Sequence, residues 1–157
     1  YAMYTVELLD RLTEENKPNR SLFELLYYTL YYFDEGLDPD VLLFIFEMKM
    51  LAVAGIKPEL DRCVRCQSTD IPRFFSIKEA GFFCERCRDV DINALPISAR
   101  TARLLRLFFY LDMERLGSIS VKEATKREIK TVIDAYYDEY SGLHLRSKRF
   151  LEQLKKL

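Results

Sequence analysis

The sequence predicts a mainly α-helical protein in which a helical bundle carries an inserted β-hairpin module with four cysteines. Apolar residues recur at helical spacing before residue 60 and after residue 98, whereas β-like segments and all four cysteines lie between. A chain of 157 residues with 49% hydrophobic content can bury one substantial core. We therefore expect a helical domain over residues 1–60 and 91–157, interrupted by a small module over residues 61–90.

Two helices are predicted first, separated by a polar run. The first ends near Asn16, and its apolar stripe consists of Tyr1, Tyr4, Leu8 and Leu12. Ser21 and Glu24 form a capping-box pattern, which would satisfy backbone donors at the start of an apolar run over residues 22–33. The aromatic residues of this second helix favour a core position over a base-stacking surface; they are Tyr27, Tyr28, Tyr31, Tyr32 and Phe33.

A third helix and the inserted module follow. Asp38 as the cap and Pro39 at the first helical position predict a helix that runs to Ala54. The pattern then changes to short β-like segments over residues 73–77 and 82–84, which indicate a hairpin.

Three more helices are predicted after the module. Ser98 caps the first, which is expected over residues 99–114. A second capping box at residues 120–123 starts a long helix to Tyr140. A short helix over residues 147–157 is expected to close the chain.

The four cysteines form the pattern C-x2-C-x17-C-x2-C, with the pairs Cys63 with Cys66 and Cys84 with Cys87. Two residues between ligands let one tight turn direct both sulfurs at one ion, and a hairpin brings the second pair opposite the first. The pattern therefore predicts tetrahedral ligation of a structural Zn²⁺ in a zinc-ribbon-like module. Four thiolates leave no coordination position for water or substrate, so this site is not expected to be catalytic.

Other interpretations of the cysteines stay open from the sequence alone. They are two local disulfides, four unrelated buried cysteines, mononuclear iron and an iron–sulfur cluster. Nothing in the chain marks a secreted protein, so metal ligation in a reducing compartment fits better than disulfides.

Basic residues concentrate behind the module, whereas the first sixty residues are acidic. Candidate contacts to DNA or to an acidic partner are Arg100, Arg103 and Arg106, then Lys122, Lys126 and Lys130, and near the end of the chain Arg146, Lys148 and Arg149. Binding to nucleic acid depends on clustered phosphate neutralisation. The arginine and lysine stripes are also typical of solvated helix faces, and basic residues at a helix end also complement the helix dipole.

The sequence lacks recognisable catalytic and membrane signals. His144 has no serine or cysteine nucleophile in a known arrangement, and no glycine-rich phosphate loop is present. The longest apolar stretch, residues 41–46, is far shorter than the about 20 residues that span a bilayer. We expect a soluble protein without enzymatic activity. The opening Tyr1-Ala2-Met3 indicates a piece of a longer protein.

Several segments, in this order, resemble the C-terminal portion of the RecO family of bacterial recombination mediators. The likeness rests on residues 4–9, on the run 46–63 into the first cysteine pair, on Phe75-Ser76, on residues 81–84 and on residues 145–151. It extends over nearly the whole chain.

This resemblance implies a non-enzymatic accessory of DNA repair and homologous recombination in the bacterial cytoplasm, associated with the nucleoid. It implies binding to single- and double-stranded DNA, strand annealing, interaction with RecR, and loading of RecA onto DNA coated by single-stranded-DNA-binding protein. Family members begin with an OB-fold domain that carries much of the DNA binding. That domain lies outside this chain, so weakened DNA affinity is expected.

The resemblance also implies a site for the acidic, Phe-ended tail of the single-stranded-DNA-binding protein. Such a site needs an apolar pocket with a cationic rim. Some relatives carry arginine just ahead of the Phe46-Glu47 pair, where this chain has Ile45. The cations are therefore expected from Arg103, Arg106 or the C-terminal basic cluster. The alternative is a structural zinc-containing scaffold that binds protein partners and does not contact DNA.

Overall fold

A computed structural model describes residues 3–7 and 20–141 as a helical body joined to a small antiparallel sheet. Residues 3–7 are helical, and the longer helices are α1 (Arg20–Asp34), α2 (Pro39–Val53), α3 (Ala99–Tyr110) and α4 (Glu123–Tyr140). The strands are β1 (Phe74–Ser76), β2 (Gly81–Phe83) and β3 (Leu95–Pro96), and 3₁₀ turns span Glu85–Val90 and Met113–Arg115. The predicted mainly α fold with an inserted hairpin is confirmed.

Helix α2 occupies the centre of the helical body because its sequence is apolar on nearly every face. It contacts α1, α3 and α4, as a helix that is hydrophobic all round must be enclosed by neighbours. Its start is as predicted: the Asp38 carboxylate accepts the N–H of Asp40 at 3.0 Å, and Pro39 is the first helical residue. The helix ends at Val53, and Gly55 adopts a left-handed conformation with φ of 73°.

Helices α3 and α4 pack on α2 and on each other. Ser98 caps α3 as predicted, because its hydroxyl accepts the N–H of Thr101 at 3.1 Å. Phe108 of α3 stacks on Phe44 of α2 with ring centroids 6.5 Å apart. The buried apolar residues of α3 and α4 include Leu104, Leu105, Ile129, Val132 and Ile133.

Both predicted capping boxes were wrong. Helix α1 begins at Arg20, so Ser21 lies inside its first turn, and Glu24 forms an ion pair with Arg20 at 3.2 Å. Helix α4 begins at Glu123 behind Lys122, which provides no side-chain cap. The Ser120 carbonyl instead accepts a hydrogen bond from Arg100 at 3.4 Å. Neither serine therefore lies at the capping position directly before its helix.

The predicted end of α3 near residue 114 was also wrong, because the helix stops at Tyr110. Leu111 is extended, and Asp112 caps a separate 3₁₀ turn by accepting the N–H of Glu114 at 3.0 Å. This turn buries Met113, whose carbonyl accepts the Tyr32 hydroxyl of α1 at 2.8 Å. The end of α3 at Tyr110 therefore lets the following turn pack against α1.

The sheet contains the predicted hairpin and one strand that sequence reasoning missed. Strands β1 and β2 are antiparallel, with Phe75 opposite Phe82, and β3 pairs with the other edge of β1. The missed strand is only two residues long and includes Pro96, which is tolerated at a sheet edge.

The inner face of the sheet belongs to the same apolar core as the helices. Phe75 and Phe82 are buried in that core, and Phe75 meets Tyr136 of α4 edge to face at 5.8 Å. Phe83 is buried in a second, smaller cluster with the cysteines. The assignment of residues 61–90 to a separate module stays a prediction.

The expected core position of the α1 aromatics was wrong for part of the set. Tyr28 and Tyr32 are partly buried against the core, but Tyr27 and Tyr31 are 62% and 46% exposed. Helix α1 is covered by α2 and by the turn at residues 113–115, so its outer face remains open in the described part of the chain.

The predicted end of the first helix near Asn16 and the last helix over residues 147–157 lie outside the described residues. Within residues 3–7 and 20–141, no helix is both long and apolar enough to cross a membrane.

Replacing Gly81 with alanine should destabilise the protein. An added Cβ would lie 2.8 Å from the Glu59 carbonyl oxygen, on the backbone that pairs with β2. We expect Gly81→Ala to lower the free energy of unfolding in urea by about 1–3 kcal/mol. The control Gly117→Ala enters open space and should change it by less than about 0.5 kcal/mol. Equal stability of the two variants would contradict this packing.

Candidate metal centre

The four cysteines come from two chain segments that the hairpin brings together. Cys63 and Cys66 follow the linker from α2, and Cys84 directly follows β2. Cys87 lies in the 3₁₀ turn Glu85–Val90, which begins immediately after Cys84.

Backbone hydrogen bonds shape both turns. In the first, the Gln67 N–H donates to the Cys63 carbonyl at 2.9 Å, and the Cys63 N–H donates to Ser68 at 2.8 Å. Gln67 adopts a left-handed φ of 66°, which closes this turn tightly. In the second turn the Cys87 N–H donates to the Cys84 carbonyl at 3.1 Å. Each pair of sulfurs is thus directed to one side of its turn.

The four sulfurs form one compact cluster. All Sγ atoms lie within 4.8 Å of one another, and those of Cys66 and Cys84 are 3.6 Å apart. Four sulfurs around a tetrahedral ion at about 2.3 Å would be roughly 3.8 Å apart, so the cluster matches that coordination sphere. Cys66 is exposed, and the other three are buried. The residues therefore fit a metal ion.

The electrostatics of the cluster favour a cation. Burial opposes ionisation of Cys63, but hydrogen bonds from the backbone of Cys66, Cys84 and Arg65 outweigh it and lower the pKa of its thiol to about 6. Burial and the neighbouring thiols raise the pKa of Cys87 to about 12. The Cys63 thiolate thus forms readily while Cys87 resists ionisation beside it, and a dication would relieve this repulsion.

The linker that leads to Cys63 is held against α3. The Asp61 carboxylate accepts the Tyr110 hydroxyl at 2.9 Å and pairs with Arg106 at 3.1 Å. The hydrogen bond from Tyr110, followed by that from Arg106, lowers the pKa of Asp61. Lys57 donates to the same Tyr110 hydroxyl at 3.2 Å. This network fixes the approach of the chain to the first ligand.

The predicted basic residues differ in exposure and in pairing. Arg100, Arg103 and Arg106 are all exposed along α3, and Lys122 is exposed before α4, but Arg106 is also paired with Asp61. Lys126 is only 12% exposed in its side chain and lies 2.6 Å from Asp38 and 3.3 Å from Asp40. Lys130 lies 2.6 Å from Asp134. Arg146, Lys148 and Arg149 lie outside the described residues.

Lys126 therefore has a structural contact that the sequence did not reveal. It joins α4 to the start of α2, and hydrogen bonds with Asp38 and Asp40 raise its pKa. An external anion would have to compete with both carboxylates for this ammonium group.

Sequence reasoning also missed a cleft of about 330 Å³ between α1, α2 and the turn after α3. Half-buried Lys49 lines it and donates to the Phe109 carbonyl at 3.2 Å, and burial lowers the pKa of this lysine. Three carboxylates, those of Glu24, Asp112 and Glu114, also line the cleft. The available signal was a lone lysine within the apolar sequence of α2.

Removing the metal should loosen the outer part of the module and leave the helices intact. We expect a strong chelator to speed hydrogen exchange at the amides of Cys63 and Cys87, whose hydrogen bonds lie within the two turns. The amide of Val64, whose hydrogen bond to the Phe82 carbonyl joins the first turn to β2, should exchange faster as well. The amides of Ile129 and Ile133 in α4 serve as the control and should keep their protection, because both residues are buried in the main core. Unchanged exchange at the cysteine turns would contradict a structural metal.

Comparison with known proteins assigns the chain to a family. The family model "Recombination protein O C terminal" matches residues 1–149. The DNA repair protein RecO of Halalkalibacterium halodurans is 59% identical over 157 residues, which are 100% of this chain and 62% of the relative. The proteins of the same name from Bacillus subtilis and Bacillus pumilus are 55% and 54% identical, with 100% of this chain and 62% and 61% of the relatives covered. The chain thus spans less than two thirds of these curated relatives, and it belongs to the RecO family, whose C-terminal domain it matches.

Proposed function

We propose that this chain is the non-enzymatic C-terminal part of a mediator of homologous recombination and DNA repair, acting in the bacterial cytoplasm at the nucleoid. Family membership over nearly the whole chain is the observation that carries the proposal, since the relatives are named DNA repair proteins. Its chemistry consists of binding: DNA, RecR and single-stranded-DNA-binding protein are the partners, and loading of RecA is the outcome.

The proposed metal is Zn²⁺ held by Cys63, Cys66, Cys84 and Cys87 in a structural role. Soft thiolates in a tetrahedral arrangement suit zinc, and the complete set of four leaves no open position for a reaction. Zinc would hold the two cysteine turns together on the outer side of the sheet. Elemental analysis of the purified protein distinguishes zinc from iron.

The proposed anion-binding surface is the α3 face, which we define as Arg100, Arg103, Arg106, Leu107 and Tyr110. All five residues are exposed. The guanidinium of Arg106 lies 5.1 Å from the centre of the Tyr110 ring. Arginines beside a partly exposed aromatic ring suit single-stranded nucleic acid, because phosphates need cations and bases stack on aromatic rings.

The same face suits the acidic, Phe-ended tail of single-stranded-DNA-binding protein better than the Lys49 cleft does. Leu107 and Tyr110 are each 45% exposed and lie among the arginines. Near them, Asp61 is already paired with Arg106. The Lys49 cleft offers apolar contacts, but its carboxylates would repel an acidic peptide.

A scaffold that binds proteins but no DNA is the competing function. The observation in its favour is that Lys126, Lys130 and Arg106 already pair with carboxylates of the chain itself. Neutralised cations attract phosphates less than free ones do.

Binding to a labelled single-stranded oligonucleotide, followed by fluorescence anisotropy, decides between the two functions. A mediator fragment should lose affinity steeply as salt rises. Arg103→Glu should weaken binding several-fold and lower the slope of log affinity against log salt by about 0.7, the value for one phosphate contact. Arg115→Glu is the matched control, because it reverses an arginine that is 88% exposed away from the α3 face. No binding at low salt would favour the scaffold.

Titration with a labelled peptide that ends in acidic residues and a terminal Phe tests the second partner. We expect binding that Arg103→Glu weakens and that unlabelled oligonucleotide displaces, since both ligands would use the α3 face. Lys49→Met, in the acidic cleft, should leave the affinity unchanged. Failure of the metal-loaded protein to bind the peptide would refute tail binding and leave the family assignment standing.

A further inference from the structure

The outer face of α1 exposes three large aromatic side chains in one row. Phe23, Tyr27 and Tyr31 are 69%, 62% and 46% exposed and recur every four residues, so they lie on one side of the helix. The Tyr27 and Tyr31 rings lie nearly parallel, with centroids 6.3 Å apart. A contiguous apolar row of this kind on a soluble body marks an interaction site.

The charges along this row argue against a nucleic-acid partner. Arg20 at the start of α1 is exposed, whereas Asp34 at its end and Glu35 just beyond are exposed and acidic. Phosphates would be repelled from the acidic end. A suitable partner must present a positive charge at one end, a negative charge at the other and apolar groups between.

Helix α1 itself has these properties when it is turned end over end. The residues of this row are placed symmetrically about Tyr27. Phe23 lies four residues before it and Tyr31 four after, while Arg20 lies seven before and Asp34 seven after. Seven residues are close to two helical turns, so both charges lie on the same side as Tyr27. A second copy packed antiparallel would therefore place opposite charges and aromatic rings against each other.

We propose that the chain forms a two-fold symmetric dimer through antiparallel packing of α1 against α1 of a second copy. Tyr27 lies next to the symmetry axis, Phe23 packs on Tyr31 of the second copy, and Arg20 pairs with Asp34 of the second copy. Arg20 and Asp34 each lie about 10 Å along the helix from the two-fold axis. Two helices that cross at about 20° are still close enough at that distance for long side chains of the two copies to meet.

Two features set the strength of this dimer. Arg20 now pairs with Glu24 at 3.2 Å, but both side chains are half exposed or more, so exchanging this partner costs little. One helix face on each copy buries less than the about 1,200 Å² of a standard stable interface. The dimer is therefore weak, with a dissociation constant in the micromolar range, and its formation depends on protein concentration.

A charge exchange tests the symmetry directly, with sedimentation equilibrium of the metal-loaded protein as the measurement. Arg20→Asp alone places like charges opposite each other at both ends of the interface, and so does Asp34→Arg alone. Each should weaken the dimer by about tenfold or more. The double variant Arg20→Asp/Asp34→Arg restores opposite charges and should dimerise like the unmodified protein. An equimolar mixture of the two single variants should also form dimers.

Loss of folding is not expected to account for weaker dimerisation of these variants. An acidic residue at the start of a helix and a basic residue at its end both complement the helix dipole, so the substitutions suit α1. Circular dichroism checks that each variant remains helical. A protein that stays monomeric at hundreds of micromolar overturns the proposal, as does a dimer whose strength neither single substitution changes. Failure of the double variant to recover also overturns it.

Discussion

The enclosure of α2 over most of its length is the constraint on which the rest of the structure depends. A helix with apolar residues on nearly every face is stable in water only if other elements cover most of them. Helices α1, α3 and α4 bury α2 from Val41 to Leu51, apart from Leu43 and Lys49, and leave Val53 at its end exposed. The one buried carboxylate of α2 also has its partners within the core. Glu47 is 3% exposed and accepts the Tyr4 hydroxyl at 2.7 Å, while its carbonyl accepts the hydroxyl of buried Tyr137.

The module is held by two different forces on its two sides. On the inner side, Tyr136 packs against Phe75 and donates to the Ile56 carbonyl, and the Tyr140 hydroxyl donates to the Ile77 carbonyl. On the outer side, Phe83 is the large apolar residue among the cysteines. An apolar core can stabilise the inner side, whereas the outer side would be stabilised by the proposed metal. Loss of metal should therefore have local effects.

Sequence reasoning succeeded where one short segment determines the contact. The cysteine cluster depends on pairs with two residues between them and on one hairpin, and the Asp38 and Ser98 caps accept from backbone N–H groups within the next few residues. It failed where a distant residue decides. Asp40, one of the two α2-side partners of Lys126, is 86 residues away, and Arg100 donates to the carbonyl of Ser120 across twenty residues. Spacing along a helix identifies a stripe, but only tertiary packing decides whether that stripe is buried or neutralised.

Because the inner faces of α1, α3 and α4 pack on α2, the outer faces of these helices are the surfaces through which they can contact partners. These faces differ in chemistry: α3 presents a row of arginines beside Tyr110, whereas α1 presents aromatic rings between one positive and one negative end. The ion pairs of the two faces share no residue, since Arg20 contacts Glu24 and Arg106 contacts Asp61. Substitutions on one face should then add to those on the other without interaction energy. The proposed self-association and the proposed anion binding should therefore vary separately on one core.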